Sequence, residues 1–150
     1  MNDLVDLYQD VILEHSRHPR NFGPCEHATH TARGNNPLCG DRISVCLTLD
    51  EAGRIEDARF EAKGCAISVA SASMMTEMIR GKTAAEAKSL FDRFHKLVTG
   101  KSEPGADETL AELDSLSGVR AFPTRIKCAT LPWHAMTAAL EGKDEEVKTE

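Results

Sequence analysis

The chain has 150 residues, 41% of them hydrophobic and 28% charged, a composition typical of one globular domain, which we expect to span residues 1–150. Its 18 basic and 24 acidic residues give a net charge of −6, which argues against nonspecific nucleic-acid binding. No apolar run approaches the roughly 20 residues of a membrane span, and no secretory signal opens the sequence. We therefore expect a cytoplasmic protein that binds neither membranes nor nucleic acid.

The first third of the chain predicts one helix followed by strands. Apolar residues over 4–12 recur at helical spacing, which predicts an amphipathic helix from residue 3 to about 15. Apolar and polar residues alternate over 43–49, and a second extended segment, 55–63, follows after a turn. These two segments predict an antiparallel hairpin, and a further strand is expected near 27–33.

The middle of the chain predicts two helices. Residues 66–80 contain neither Gly nor Pro and are followed by Gly81, the residue type preferred just after a helix. Thr83 and Glu86 form a capping box that begins the next helix, which we expect to end at Gly100.

The last third predicts a short helix over 110–116, stopped by Gly118. Residues 122–140 are helical in composition, but we expect a break near Pro132 because an interior proline costs about 3 kcal/mol. Residues 143–150 are charged and predict a frayed tail. Together the segments predict an α+β fold with helices gathered against an antiparallel sheet.

Five cysteines carry most of the chemical information: Cys25, Cys39, Cys46, Cys65 and Cys128. Their odd number and wide spacing, in a protein expected in a reducing compartment, disfavour structural disulfides. They are therefore core residues, metal ligands or reactive thiols. For Cys25 and Cys46 we expect small core residues without a chemical role.

Two of the other cysteines stand in contexts that favour chemistry. Cys39 is followed by Gly40 and Asp41, and the glycine lets the backbone turn so that the thiol and the carboxylate point to one spot. Cys65 directly precedes a predicted helix, whose positive dipole end stabilises a thiolate.

Cys128 follows two cationic residues, Arg125 and Lys127, which also favour a thiolate. Three thiols and one carboxylate could complete the tetrahedral shell that zinc prefers. The spacings between these cysteines match no zinc-knuckle pattern, however. Spacing and local context alone leave both interpretations open, the core cysteine and the metal ligand.

Four motifs are together specific for one family: HSRHPRNFG at 15–23, NNPLCGD at 35–41, FEAKGCAIS at 60–68 and RIKCA at 125–129. On these motifs the chain resembles, from about Leu7 to Leu140, the IscU/NifU-like family of iron–sulfur cluster assembly proteins. The resemblance implies a compact α+β fold with a three-stranded antiparallel sheet. It also implies a metal shell made of Cys39, Asp41, Cys65 and Cys128.

Three departures make the SufU branch of this family the nearest resemblance. Lys127 stands where IscU scaffolds carry a histidine, and residues 99–118 form a long insertion. The Leu-Pro-Pro chaperone motif of IscU is replaced by Ala121-Phe122-Pro123. These departures argue against the scaffold role, because the histidine and the chaperone motif belong to the IscU route of building and handing over a cluster. SufU-type proteins are associated with tightly held zinc.

The resemblance implies a zinc-dependent sulfur acceptor that takes persulfide sulfur from a SufS-type cysteine desulfurase. Such a protein is a co-substrate and activator of the desulfurase and supplies the downstream iron–sulfur assembly machinery. Our hypothesis is that a ligand from the partner displaces Cys39 from zinc and that the freed thiolate attacks the persulfide. Arg125 and Lys127 would guide the anionic persulfide or offset the negative charge of the shell.

Two alternatives follow from the same residues. The first is a scaffold on which a [2Fe–2S] cluster is assembled, with iron in place of zinc, because cysteine thiolates are the usual cluster ligands. The second is a structural zinc domain used for partner binding. Asp41 argues mildly against the second, because closed structural sites are usually built from Cys and His alone.

Overall fold

A computed structural model describes residues 3–142 and 146–148 of the chain. Over these residues the chain forms an α+β structure in which helices pack against a small, mostly antiparallel sheet, which confirms the predicted fold class. None of the described helices is long and apolar enough to cross a membrane.

The sheet contains β1 (His30–Asn36), β2 (Asp41–Leu49), β3 (Ile55–Lys63) and a short β4 (Val147–Lys148), in the order β3-β2-β1-β4. The pairs β1–β2 and β2–β3 are antiparallel, so these strands form the three-stranded antiparallel sheet that was expected. The first strand begins at His30, slightly later than the segment 27–33 predicted from the sequence.

The C-terminal segment differs from the frayed tail predicted for residues 143–150. Val147 pairs with Gly34 and Lys148 with Asn35, which makes β4 a parallel fourth strand at the β1 edge. Val147 also packs against the hydrophobic core, and this partial burial stabilises the pairing of the short strand. Residues 143–145 and 149–150 lie outside the described residues.

Among the described residues, four α-helices accompany the sheet: α1 (Asp3–Arg17), α2 (Ala66–Ile79), α3 (Ala84–Val98) and α4 (Pro123–Leu140). Helix α4 packs on β1 and β2, while α2 contacts both α4 and β3. The covered face of β2 presents alternate residues that are buried, Ile43, Val45 and Leu47. The capping box at the start of α3 is formed as predicted.

The break predicted near Pro132 is wrong, because α4 is continuous through this residue. Pro132 cannot donate the hydrogen bond that the Cys128 carbonyl would otherwise accept. Ser71 of α2 holds the helix on both sides of the proline. Its hydroxyl donates to the Ala129 carbonyl at 2.5 Å and accepts from the indole N–H of the fully buried Trp133 at 3.1 Å. These tertiary contacts offset the local cost of the proline.

The insertion between α3 and α4 forms two 3₁₀ helices, Glu108–Leu110 and Leu113–Ala121, rather than one short helix ended by Gly118. The second 3₁₀ helix continues through Gly118, which does not adopt the left-handed conformation that ends a helix. A 3₁₀ helix has three residues per turn, so leucines three apart lie on one face. The three leucines at this spacing are all buried: Leu110, Leu113 and Leu116.

The expectation that Cys25 and Cys46 are free core cysteines is also wrong, because they form a disulfide with their Cα atoms 6.0 Å apart. The loop that carries Cys25 is fixed at both ends to the sheet. The Gly23 N–H donates to the Phe60 carbonyl at 2.8 Å, and the Thr29 N–H donates to the Leu47 carbonyl at 2.9 Å. Folding of this loop over β2 therefore brings together two cysteines that are 21 positions apart in sequence.

Candidate metal centre

The turn between β1 and β2 carries two of the candidate ligands, Cys39 and Asp41. The Asn36 carbonyl closes this turn by accepting from the backbone N–H groups of Cys39 at 3.2 Å and Gly40 at 2.8 Å. Gly40 has a φ of 72°, a conformation that glycine adopts without steric cost. As a result Cys39 is half-buried near the end of the turn, and Asp41 opens β2 in a fully buried position.

Asp41 is connected directly to Cys65, the residue that precedes α2. Its Oδ1 accepts from the Cys65 backbone N–H at 2.8 Å, and its Oδ2 lies 3.8 Å from the Cys65 Sγ. Gly64 makes this approach possible, because a Cβ at this position would lie 2.2 Å from Oδ1 of Asp41. The glycine before Cys65 thus keeps open the space that the carboxylate occupies.

Cys128 brings the third thiol from α4. Its side chain is fully buried, and its Sγ lies 3.3 Å from the Sγ of Cys39. The side-chain amide of Asn36, also fully buried, donates to the Cys128 Sγ at 3.7 Å. The β1–β2 turn and the first half of α4 therefore meet through sulfur atoms.

The ligand atoms of Cys39, Asp41 and Cys128 all lie within 4.8 Å of one another, which makes these three residues a candidate metal site. Cys65 is outside this mutual group but adjoins it through Asp41. Thiolates with a carboxylate are a donor set that suits both zinc and iron. The structure thus brings together three of the four predicted ligands and leaves the fourth next to them.

Burial and neighbouring groups oppose the charge that a ligand must carry. Desolvation raises the pKa of the Cys128 thiol strongly, and its hydrogen bonds with Asp41 and Cys39 act in the same direction. A divalent cation would compensate this cost, because thiols bind metals in the deprotonated form. The donor set therefore fits a bound cation better than it fits free thiolates.

An open cavity of about 480 Å³ gives access to the two half-buried thiols, Cys39 and Cys65. Its remaining lining comes from the start of α4 and the residues before it: Ala121, Phe122, Pro123, Thr124 and Arg125. Phe122 of the lining is 60% exposed, and Leu38, which precedes Cys39 in the chain, is 64% exposed. A reactant that enters this cavity meets Cys39 and Cys65 and not the buried Cys128.

The two cationic residues predicted to assist differ in position. Arg125 lines the cavity, and the negative charges of Cys65 and Cys128, in that order, raise the pKa of its guanidinium. Lys127 is half-buried on α4 and does not line the cavity. Arg125 thus lies where an entering anion would pass, whereas Lys127 lies outside the lining, and the roles of both residues stay predictions.

Sequence reasoning did not assign roles to Asn36 and Gly64. Both residues stand inside the quoted motifs, three positions before Cys39 and one before Cys65. Asn-Pro before Cys-Gly-Asp is a turn signal, and it could have indicated that the asparagine closes the turn. The contact of Gly64, which follows β3, with Asp41 of β2 is between residues far apart in the chain, so it leaves no local signal.

The family model described as the NifU-like N terminal domain matches residues 7–142. The chain is 42% identical over 141 residues to the iron–sulfur cluster assembly scaffold protein IscU of Streptococcus pyogenes serotype M1, which covers 94% of this chain and 87% of that protein. It is 44% identical over 134 residues to the zinc-dependent sulfurtransferase SufU of Bacillus subtilis, which covers 89% of both chains.

Among solved structures, the chain is similar to the SUF-system scaffold protein FiSufU of Fervidobacterium islandicum AW-1, with a TM-score of 0.80 and 34% identity. That match covers 87% of this chain and 94% of the other. Both the IscU and the SufU relatives are thus matched at nearly equal identity and over most of their length. The chain belongs to the IscU/NifU-like family of iron–sulfur cluster assembly proteins and acts in iron–sulfur cluster biogenesis.

Proposed function

We propose that this protein is a zinc-dependent sulfur acceptor, which takes sulfur from the persulfide of a cysteine desulfurase. The observation that carries this proposal is the different exposure of the ligands. Cys39 and Cys65 are half-buried and line an open cavity, whereas Asp41 and Cys128 are fully buried and do not line it. A partner can therefore reach the accessible thiols while Asp41 and Cys128 keep their positions, and we assign sulfur acceptance to Cys39 on the β1–β2 turn.

Zinc would be held by Cys39, Asp41, Cys65 and Cys128, and when bound it keeps thiols deprotonated at neutral pH without redox chemistry of its own. The similarity to a relative named as a zinc-dependent sulfurtransferase supports this choice of metal. Lys127, where IscU scaffolds carry a histidine, supports it independently.

The transfer itself is a thiol exchange at Cys39. Its thiolate attacks the outer sulfur of the desulfurase persulfide, and a new sulfur–sulfur bond forms at Cys39. The bond between the outer sulfur and the desulfurase cysteine breaks, and that cysteine leaves as a thiolate. No external oxidant or reductant is required, because the persulfide oxidation level moves with the outer sulfur.

Arg125 guides the anionic persulfide toward Cys39, since its guanidinium lines the same cavity. Lys127, which is half-buried on α4 and outside the cavity lining, offsets part of the negative charge of the shell. The protein is then a co-substrate that activates the desulfurase, and it delivers the sulfur to the downstream assembly machinery.

The second candidate function is a scaffold that assembles a [2Fe–2S] cluster. It is favoured by 42% identity to a relative named as an assembly scaffold, and by two thiols 3.3 Å apart with a third that adjoins them through Asp41. A brown protein with charge-transfer absorption after anaerobic purification would favour this function.

A structural zinc domain is distinguished by the consequence of metal removal. A domain that depends on zinc for its fold unfolds when a chelator takes the metal. We expect this chain to keep its helical circular dichroism after chelation, because its core of Trp133, Phe60 and Phe94 is built without the ligands. Loss of the helical signal at 25 °C would support the structural domain.

The deciding experiment measures alanine release by the cognate cysteine desulfurase with zinc-loaded, iron-loaded or metal-stripped protein. We expect a large, saturable stimulation with the zinc-loaded protein alone. Zinc-loaded Lys63→Ala serves as a matched control, because Lys63 ends β3 near Cys65 but outside the cavity lining. Stimulation that requires iron, or that is the same with and without bound metal, would contradict the proposal.

A further inference from the structure

Asn36 is a buried polar residue that contacts both sides of the candidate metal centre. It is the last residue of β1, and no part of its side chain is exposed to solvent. Its carbonyl accepts from the backbone N–H groups of Cys39 and Gly40, and its Oδ1 accepts from the Leu38 N–H at 3.2 Å. Three bonds from one residue therefore determine the shape of the turn that carries Cys39.

The remaining polar group of Asn36, its Nδ2, donates to the Sγ of Cys128 at 3.7 Å. This contact joins residues 92 positions apart and connects the β1–β2 turn to α4. Burying a side-chain amide is costly unless its groups find partners. The Cys128 sulfur is thus the partner that makes the buried amide acceptable at this position.

We propose that Asn36 is a positioning residue of the metal centre, which holds Cys128 as the retained ligand through an N–H···S bond and sets Cys39 against it. The inference rests on the proposed function only in treating these cysteines as metal ligands. It holds for zinc and for iron, because both are bound by thiolates.

An N–H···S bond has two physical consequences at such a site. It orients the sulfur before the metal arrives, so that less conformational freedom is lost on binding. It also withdraws electron density from the sulfur, which stabilises the thiolate and lowers its reactivity toward electrophiles. Cys128 then stays bound while the half-buried Cys39, which lines the open cavity, exchanges.

Asn36→Ser and its neighbour control Asn35→Ser test this role. The serine oxygen at 36 can still accept from the Leu38 N–H, but the side chain is too short to reach the Cys128 sulfur. Asn35 has the same chemistry, but its amide bonds to Glu146 at the protein edge and not to a thiol. Zinc affinity measured by competition with a chromophoric chelator should fall about 10- to 100-fold for Asn36→Ser, and stay at the parental value for Asn35→Ser.

Cobalt substitution distinguishes two causes of a lower affinity: loss of the N–H···S bond and a general loosening of the site. Without the donor, the sulfur lone pairs rise in energy, so the sulfur-to-Co²⁺ charge-transfer band of Asn36→Ser should shift to longer wavelength. Asn36→Asp, which keeps the shape and the acceptor but loses the N–H donor, should show the same direction of shift. This second variant also provides the test if Asn36→Ser does not fold.

Parental zinc affinity in both Asn36 variants would overturn the proposal. A lower affinity with an unmoved charge-transfer band would also overturn it, because the residue would then act only through the turn. Neither measurement contains a desulfurase. A failure of sulfur transfer, with affinity and band behaving as expected, would therefore count against the proposed function and not against the role of Asn36.

Discussion

Two pairs of cysteines each have one member in β2 or in the turn before it, and their surroundings differ. Cys25 and Cys46 form a disulfide between a surface loop and the strand. Cys39 and Cys128 remain thiols with their sulfur atoms 3.3 Å apart, beside the buried carboxylate of Asp41. Proximity alone thus does not decide the fate of a thiol pair. The buried carboxylate of Asp41 beside the two thiols gives this pair a donor set that suits a bound cation.

The largest effect that separates the two pairs is expected at Cys39. Cys39→Ala should abolish sulfur acceptance, because no other thiol combines access to the cavity with the position on the β1–β2 turn. The double variant Cys25→Ser/Cys46→Ser should accept sulfur at the parental rate. Transfer of radiolabelled sulfur from the desulfurase measures both, and parental transfer by Cys39→Ala would refute its role.

The disulfide should matter for stability instead. Its two cysteines are 21 positions apart, and closing a loop of this size contributes about 3 kcal/mol to the free energy of unfolding. Urea unfolding of Cys25→Ser/Cys46→Ser against the parent measures this loss. Zinc affinity should not change, and a tenfold drop would mean that the two cysteine pairs are coupled.

A smaller effect is expected at Gly64, which contacts the candidate ligand Asp41. In Gly64→Ala the new Cβ would overlap Oδ1 of Asp41, so the carboxylate must move. Zinc affinity should fall about 10- to 100-fold, which is the usual loss when a residue that supports a metal ligand is changed. The control is Gly118→Ala, where an added Cβ meets no atom within 4 Å and zinc affinity should stay parental.

The smallest effect concerns the pH dependence of the metal-free protein. The folded-state pKa of Cys128 is raised above its ordinary value of 9.0, so its contribution to stability is complete below pH 9 and is lost as pH rises further. Thermal melts between pH 8 and 10 should show a decline of at most about 1.4 kcal/mol per pH unit from this group. The stability of Cys128→Ser should decline less steeply with pH. An equally steep decline would show that Cys128 does not cause the pH dependence.

Several features could be predicted from local sequence because their physical causes are local. Alternation over residues 43–49 reflects one covered face of a strand, and the capping box at Thr83 and Glu86 needs only four consecutive residues. The Cys-Gly-Asp segment similarly indicates a turn that presents a thiol and a carboxylate together, and the ligand atoms of Cys39 and Asp41 do lie close to each other. The ligand set followed from the family resemblance and stays a prediction.

Other features were missed because distant residues decide them. Pro132 predicts a break by its own chemistry, but Ser71 on another helix holds the chain on both sides of it. Leu113 and Leu116 are three positions apart, a spacing that places side chains on one face in a 3₁₀ helix and in an α-helix, so the local pattern does not separate the two. Val147 lies in a charged tail, and its pairing with Gly34 depends on the open edge of β1.

The sequence by itself determined the order of α1, β1 to β3, α2 and α3, the turn at Cys39, and the resemblance of its motifs to one family, because each depends on neighbouring residues. Only the tertiary structure decided which thiols meet. Cys39 and Cys128 are 89 positions apart, and the disulfide partners 21, so packing of the helices and the loop on the sheet selects the pairs. The amide of Asn36 and the missing Cβ of Gly64 act across those same long-range contacts, where spacing in the chain carries no information.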